Sequence, residues 1–434
     1  MVEGEAGEEG CKEGCQEEVT GPREGCASLA RSNAVSSLAL VVLDAGSMIP
    51  RVTALAMLAL ASLVACSSDD SSSPSGVDSG GASGPDGAVA SDAGETGIDA
   101  STSTGIDGGR GSQADSGVSV SPDAGAKPGT LLDASACTYP DGGGAINKVK
   151  YVFVIAMENH DSGEIIGDVA DAPYINGTLL PCYASSSNFN DPLPLAIPSE
   201  PHYVWMEAGT NTFADATFTT DNDPSAVNST ASTLHFSTQL DAASVTWRSY
   251  QQGLDPNATG ACPIYSSGDF AAKHDPFVFF QDVSGNPPAD DAAKCTSHHK
   301  ALTALSGDLT AATVARYNFI TPDLCHDMHG AGDCPNGNTV QAGDQFLQAT
   351  LPALVSFAFA NDGVIYVVWD EGDKGLQIPF LAIGPGVKRG YVGGVAYTHS
   401  SLVATNERVF GVSRLATVSS ATDLADLFQA GALP

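Results

Sequence analysis

An almost continuous run of β-branched and aromatic residues, Lys150-Tyr-Val-Phe-Val-Ile-Ala-Met157, passes without a turn signal into Glu158-Asn159-His160. Such a run predicts a strand buried on both faces, the kind found inside a parallel sheet. In an open α/β sheet, functional groups collect beyond the carboxyl ends of such strands. Hard oxygen ligands therefore stand where a site is expected. The pattern recurs far downstream, where Val364-Ile-Tyr-Val-Val-Trp369 runs into Asp370-Glu371. Two core strands ending in acidic residues can bring several carboxylates around one divalent cation, whose charge offsets the cost of crowding them. The recurrence predicts a metal enzyme.

From residue 147 to 434 the sequence alternates apolar runs with helical and loop segments, which predicts one α/β domain: a mostly parallel central sheet with helices on both faces. Strands are expected at Tyr151–Met157, Val245–Tyr250, Tyr317–Thr321, Val364–Trp369 and Phe380–Gly384. Helices are expected at Gly343–Phe359 and at Ser400–Phe410, the latter stopped by Gly411. All nine histidines fall in this part. So do Cys137, Cys182, Cys262, Cys295, Cys325 and Cys334 if the few residues before 147 are included, an even set that suits an exported, disulfide-bonded protein. Spacing alone does not fix the connectivity, but Cys262 with Cys295 and Cys325 with Cys334 are the favoured local pairs. Zinc binding by these cysteines is the weaker reading, because no C-x-x-C pair is present among them.

The front of the chain reads differently. The formal net charge of -33 over 434 residues invites a search for a basic partner, yet much of the acidity sits between Ser67 and Asp141 in a tract of Asp, Gly, Ser, Ala and Pro. Such a composition buries too little apolar surface to offset ordering entropy, so residues 67–146 are expected to be a flexible, self-repelling tether. Its acidity disfavours nucleic acid, and no basic stripe appears elsewhere. Residues 48–66 combine Arg51, an apolar core from Ala54 to Leu63 and a small-residue site ending at Cys66. This is short for a membrane span and suits a signal peptide. It resembles a bacterial lipoprotein signal, which implies a lipidated Cys66 that anchors an exported protein to the outer membrane or cell surface. An ordinary secretory signal with a chance cysteine is the alternative. Residues 1–47, ahead of Met48, fit neither signal nor domain and read as a mis-assigned upstream extension. Sequons at Asn176, Asn228 and Asn257 matter only in a eukaryotic secretory path, against which a lipoprotein signal argues.

Between the two acidic strand ends lies Ala196-Ile-Pro-Ser-Glu-Pro-His-Tyr203. Pro198 and Pro201 restrict the backbone on both sides of Ser199, so its hydroxyl could be presented rigidly toward a bound metal. A hydroxyl with a pKa far above neutrality needs a metal or a nearby base to act as a nucleophile. Read singly, each feature has a plainer explanation: a loop for Ser199, a cap for Glu158, a solvated turn for Asp370 and Glu371, a disulfide loop for Asp327 and His329, and structural roles for His298 and His299. Trp205, Trp247 and Trp369 are expected to fill core.

Taken in order, Met157-Glu-Asn-His160, Pro198-Ser-Glu-Pro-His-Tyr203, Pro322-Asp-Leu-Cys-His-Asp-Met-His329, Trp369-Asp-Glu371 and Tyr397-Thr-His-Ser400 resemble the bacterial phosphoesterase family of acid phosphatases and phospholipases C, within the alkaline phosphatase superfamily. The resemblance covers about residues 148–415. It implies an alkaline phosphatase-like fold, Ser199 as nucleophile, and Glu158, Asn159, Asp370 and Glu371 as metal ligands. It places His399 near the phosphate or a second metal, Asp327 and His329 in a further polar cluster with metal-binding character, and His274 on the substrate side. Two departures are plain: His202 stands where many relatives carry asparagine, and the stretch after Trp369-Asp-Glu is shortened to Gly372-Asp-Lys-Gly375.

These residues support a metal-dependent phosphoesterase that attacks phosphate monoesters through Ser199 and a phosphoserine. Asn159 and His202 are expected to contact the substrate, and His399 or His274 to protonate the leaving oxygen. Phospholipase C or phosphodiesterase activity on phospholipid headgroups is the alternative within the enzyme class. An inactive surface lipoprotein that binds phosphorylated ligands is the alternative outside it. Oxygen-rich ligands suit magnesium, calcium or manganese, while recruiting His329 and His399 shifts the balance toward zinc or iron.

Overall fold

The computed structural model describes residues 132–135, 137–140, 147–255, 261–335 and 337–434. The expected upstream extension, the signal peptide with Cys66, most of the tether and Asn257 lie outside the described residues. Among the described residues eight strands form a single sheet: β1 (Tyr151–Met157), β2 (Ala184–Ser186), β3 (Trp247–Gln251), β4 (His299–Ala301), β5 (Tyr317–Thr321), β6 (Gly363–Trp369), β7 (Phe380–Ile383) and β8 (Val392–Gly393), in the order β4-β3-β5-β1-β6-β7-β2-β8. The five strands from β4 to β6 run parallel, β7 is antiparallel to β6, and β2 is antiparallel to β7 but parallel to β8. The expected fold class, α/β with a mostly parallel sheet, is the one observed.

The central strands are apolar throughout because both faces of the sheet are covered. Four longer helices matter to the site: α1 (Ser199–Ala208), α2 (Phe236–Ala242), α3 (Thr339–Asn361) and α4 (His399–Phe410). Phe153 of β1 meets Phe357 of α3 edge-to-face at 5.8 Å. Val154 points the other way, in register with Phe319 of β5. That face belongs to the helices near the site, since Phe319 packs on Tyr203 of α1 and Tyr317 packs on Phe236 of α2 and Phe410 of α4. Trp247 and Trp369 are fully buried as expected, while Trp205 is only partly buried and donates its indole N–H to the Ser400 hydroxyl at 2.8 Å.

One close approach under the site depends on a missing side chain. A Cβ on Gly343 of α3 would collide with Met328 and lie 3.0 Å from the Met157 methyl, so only glycine lets this helix reach the loop after β5. Among the described residues three disulfides, Cys137–Cys182, Cys262–Cys295 and Cys325–Cys334, include both favoured pairs. The first shows that residues assigned above to the tether are held on the body. Beside it, Leu132 donates its amide to Gly390 O at 2.6 Å, and Tyr139 donates its hydroxyl to Cys182 O at 2.7 Å beneath the Arg389 guanidinium.

The sequons at Asn176 and Asn228 are spent on structure. Asn176 donates to the carbonyls of Ile165, Asp168 and Ala172, and Asn228 donates to Glu200. His298 stacks on Trp247 and His299 pairs with Asp275, structural roles in both cases.

Candidate active site

In a parallel pair, residues in register leave the sheet together. Met157 is in register with Trp369, so Glu158 and Asp370 emerge side by side from the carboxyl ends of β1 and β6. The junction is pinned: Asp370 N–H donates to Met157 O at 2.9 Å, and Asn159 N–H donates to the Asp370 carboxylate at 3.1 Å. Asn159 reaches that geometry with φ 51°, a left-handed conformation that asparagine tolerates better than most residues. From β5 the chain loops back to Asp327, whose carbonyl accepts from Glu158 N–H at 2.8 Å. The backbone N–H of His329 donates to the Asp327 carboxylate at 2.8 Å.

Ser199 is the first residue of α1, which follows Pro198 in extended conformation. The expected rigid loop is therefore the first turn of a helix. Proline is tolerated there because the amides of a first turn have no intrahelical partner, so Pro201 breaks nothing. The serine hydroxyl sits 3.0 Å from Glu158 Oε2 and 3.0 Å from Glu371 Oε1. One hydroxyl proton can satisfy only one of these oxygens. The positive end of the helix gives the position affinity for anions, including phosphoryl oxygens, although Pro201 has no N–H and the Glu200 amide already faces Asp221.

Two groups of potential ligands flank this hydroxyl, each with ligand atoms within 4.8 Å of one another: Glu158, His274 and Asp327, and Asp191, His202 and His399. All six are buried. In the first group, His274 Nε2 lies 3.3 Å from Glu158 Oε1 and its Nδ1 3.6 Å from Asp327 Oδ2, while the ring stacks on Tyr203 with centroids 4.9 Å apart. In the second, His202 Nδ1 lies 2.9 Å from Asp191 Oδ1, and His202 Nε2 faces Ile197 O at 3.1 Å. His399 Nε2 faces the Asp370 carbonyl at 2.6 Å. Because a carbonyl can only accept, both rings carry a proton on Nε2; His399 turns a bare Nδ1 into the group, while the Nδ1 of His202 faces the Asp191 carboxylate. Glu371 links the halves, 3.0 Å from Ser199 and 3.7 Å from His202 Nε2.

The electrostatics show what such a site wants. Burial, reinforced by the neighbouring carboxylates, holds Glu158, Asp327 and Asp370 well above the usual carboxyl range, and burial raises Glu371 in spite of His202. Burial drives His274 well down and His399 down to about 4, so both rings are neutral. Burial opposes charge on His202 as well, but Asp191, Asp370 and Glu371 lift it to about 9. Glu158 Oε1, Asn159 Oδ1, Asp191 Oδ2, His274 Nε2, Asp327 Oδ2, Asp370 Oδ2 and His399 Nδ1 are all buried without a hydrogen-bond partner. An uncompensated buried charge costs several kcal/mol. Carboxylate oxygens and imidazole nitrogens crowded together in this way fit divalent cations, which would take the place of the protons, and the mixed donor set suits zinc, manganese or iron better than calcium or magnesium.

Most of the expected site residues meet here: Ser199, Glu158, Asn159, Asp370, Glu371, Asp327, His274, His202 and His399. His329 does not. Its ring is exposed, with Nδ1 2.7 Å from Gly330 O and its centroid 6.3 Å from that of His274, so it contributes a backbone amide to Asp327 rather than a ligand. Asp191 escaped the sequence reading. Its only signal is its place in Phe189-Asn-Asp-Pro192 after a three-residue strand, where an aspartate usually serves the turn, and indeed it also accepts from Leu193 N–H at 2.8 Å.

The profile of the Phosphoesterase family matches residues 186–413, a span that carries Asp191, Ser199, His202, His274, Asp327, Asp370, Glu371 and His399. The chain is similar to the phosphatidylinositol-3-phosphatase of Mycobacterium tuberculosis, 25% identical over 286 residues, 65% of this chain and 84% of that protein. It is also similar to the phosphate-repressible acid phosphatase of Penicillium chrysogenum, 29% identical over 232 residues, and spans half the length of that protein. Among solved structures, a protein of the alkaline phosphatase superfamily from Vibrio parahaemolyticus is 10% identical, with 70% of this chain and 76% of that chain aligned at a TM-score of 0.41. A likeness that slight distinguishes no function.

Proposed function

The chain belongs to the Phosphoesterase family and is a phosphoric ester hydrolase; on that premise we propose that it hydrolyses phosphate monoesters at Ser199 through a phosphoserine. The observation that carries the reading is the buried serine hydroxyl, 3.0 Å from each of two carboxylates, at the start of a helix and between two groups of unpartnered ligands. Divalent cations bound by Glu158, His274 and Asp327, and by Asp191, His202 and His399, would neutralise the crowded carboxylates and make the hydroxyl easier to deprotonate. Asn159, Asp370 and Glu371 complete the oxygen set around them.

The Ser199 proton passes to Glu158 or Glu371, both within hydrogen-bond reach. Serine Oγ then forms a bond to phosphorus while the bond to the ester oxygen breaks, and the carboxylate passes the captured proton to the departing alcohol. The Ser199 amide and the positive end of α1 favour phosphoryl oxygens during the transfer. In the second half, water attacks the phosphoserine and yields a proton to the same carboxylate, which returns it to Oγ as phosphate leaves. His274 and His399 act as neutral ligands in this reading rather than as proton donors, because the one N–H of His399 is committed to the Asp370 carbonyl.

A chromogenic phosphate monoester tests the proposal. Turnover that disappears with chelator and returns with a divalent cation is expected. A purified protein inactive on monoesters and diesters with several metals would favour the ligand-binding alternative. The mycobacterial relative makes a phosphoinositide the first lipid monoester to try. Lipid anchoring through Cys66 and export remain part of the proposal, and extraction of membranes from cells that make the full chain tests them.

A further inference from the structure

Lys273 immediately precedes His274 in the helical turn Ala272–His274, and its ammonium pairs with Asp221 Oδ2. The other oxygen of Asp221 faces the backbone N–H of Glu200 at 3.4 Å, and Glu200 is the residue after Ser199. One carboxylate thus bridges an ammonium and an amide of the first turn of α1. Its segment is fastened to the same helix, because Glu200 Oε2 accepts from the Thr220 hydroxyl at 2.9 Å, Asn222 N–H at 2.9 Å and Asn228 Nδ2 at 3.1 Å. The side chains of Lys273 and Asp221 are 17% and 38% exposed, so the pair is open to exchange with an incoming anion. Exposed pairs of this kind are weak. The ammonium is also near enough to the first ligand group for its charge to pull against the rise of Glu158.

We propose that Asp221 occupies a preformed two-donor anion receptor, and that Lys273 with the Glu200 amide takes a phosphoryl oxygen of a dianionic monoester when that group displaces it. The inference rests on the phosphoesterase reading and names the ester class that the site prefers. A monoester carries a second negative charge above its second pKa of about 6. A diester carries one charge and competes with the resident carboxylate on no better than equal terms. The pair therefore selects monoesters over diesters without touching the serine or its ligands.

The test uses the full, metal-loaded chain with 4-nitrophenyl phosphate, bis(4-nitrophenyl) phosphate and inorganic phosphate. Lys273→Gln should lower kcat/KM for the monoester about 10²-fold, the scale for truncating one partner of a charged contact, and change the diester far less. Lys273→Arg should restore most of the preference. Asp221→Asn should act in the opposite sense and tighten inorganic phosphate about 10-fold, because the ammonium loses its resident competitor. If Lys273→Gln slows both esters equally, or leaves the ratio unchanged, the receptor is wrong. Should Lys273→Gln fail to fold, Asp221→Asn decides: phosphate affinity unchanged or weakened overturns the inference. A wild-type protein that turns over neither ester would instead sink the catalytic reading. Calorimetric binding of phosphate, lost in Lys273→Gln and gained in Asp221→Asn, would then still support the receptor, and its absence in the wild type would end it.

Discussion

Glu158 and Asp327 reach their group from the central parallel strands β1 and β5, with His274 wedged beneath Tyr203, whereas Asp191, His202 and His399 come from a loop and two helix starts. Sheet register fixes the first group: the hydrogen bonds that align β1 with β6 also place Glu158 beside Asp370. The second group is fixed by helix ends and by carbonyls that set two tautomers. The same kind of pocket is thus made once by strands and once by turns, and the serine sits where they meet. Position on a strand is readable from a linear pattern, while position on a helix start depends on where the helix starts.

The largest effect should come from the shared element. Ser199→Ala is expected to lower turnover by at least about 10⁴-fold, as for loss of a catalytic nucleophile, while metal content by elemental analysis stays at the wild-type value. Substantial residual turnover would remove the serine as nucleophile.

Next come the two groups taken separately. Asp327→Asn and Asp191→Asn should each lose one bound ion and keep the other, with a drop in affinity beyond the roughly 10- to 100-fold typical of an outer-shell partner. Loss of both ions from either variant would show that the groups are one site and break the comparison.

The metal-free protein should also reveal the groups through pH. His202 is raised to about 9, so between pH 7 and 9 the folded state holds there a proton that the unfolded chain has lost, and the raised carboxyls of Glu158, Asp327 and Asp370 act in the same direction. Stability must then fall as pH rises through that window. His274 and His399 are neutral in the folded state, and the unfolded histidines lose their last protons just above pH 7, so these two oppose the slope only at the lower end of the window. Melting temperatures without metal should decline from pH 7 to 9, and saturating divalent cation should flatten the decline. A rising apo profile would contradict the assigned burial of these charges.

The smallest effect separates the disulfides. Removing Cys137–Cys182, which closes a separation of 45 residues, should cost about 4 kcal/mol on the chain-entropy scale with monoester turnover preserved at low temperature. Removing Cys325–Cys334, which closes 9 residues, should cost only about 2.6 kcal/mol. Because that bridge lies in the loop of Asp327, its loss should weaken the first ligand group and spare the second.

Legibility in the sequence follows the same division. The five expected strands were found within two residues because long, doubly buried strands are continuous in apolar character. β2, β4 and β8, of two or three residues each, are too short to show any period. α1 was hidden by Pro198 and Pro201, which read as a braced loop, although a first turn needs no amide from proline. Glu158, Asp370 and Glu371 were visible as strand ends. His399 was visible only through resemblance, His202 only as a departure from it, and Asp191 not at all, because its place in the group arises from a three-dimensional meeting of β2's exit with the starts of α1 and α4.

The bond between Cys137 and Cys182 bears on mechanics as well as on folding. Any pull that arrives along the chain ahead of Leu132 meets this covalent cross-link before it reaches β1. Load is thereby diverted to the segment just before β2 instead of peeling Tyr151–Met157 away from its neighbours. The strand that ends at Glu158 is shielded from traction, and the catalytic centre should keep its shape while the protein is tugged from that side.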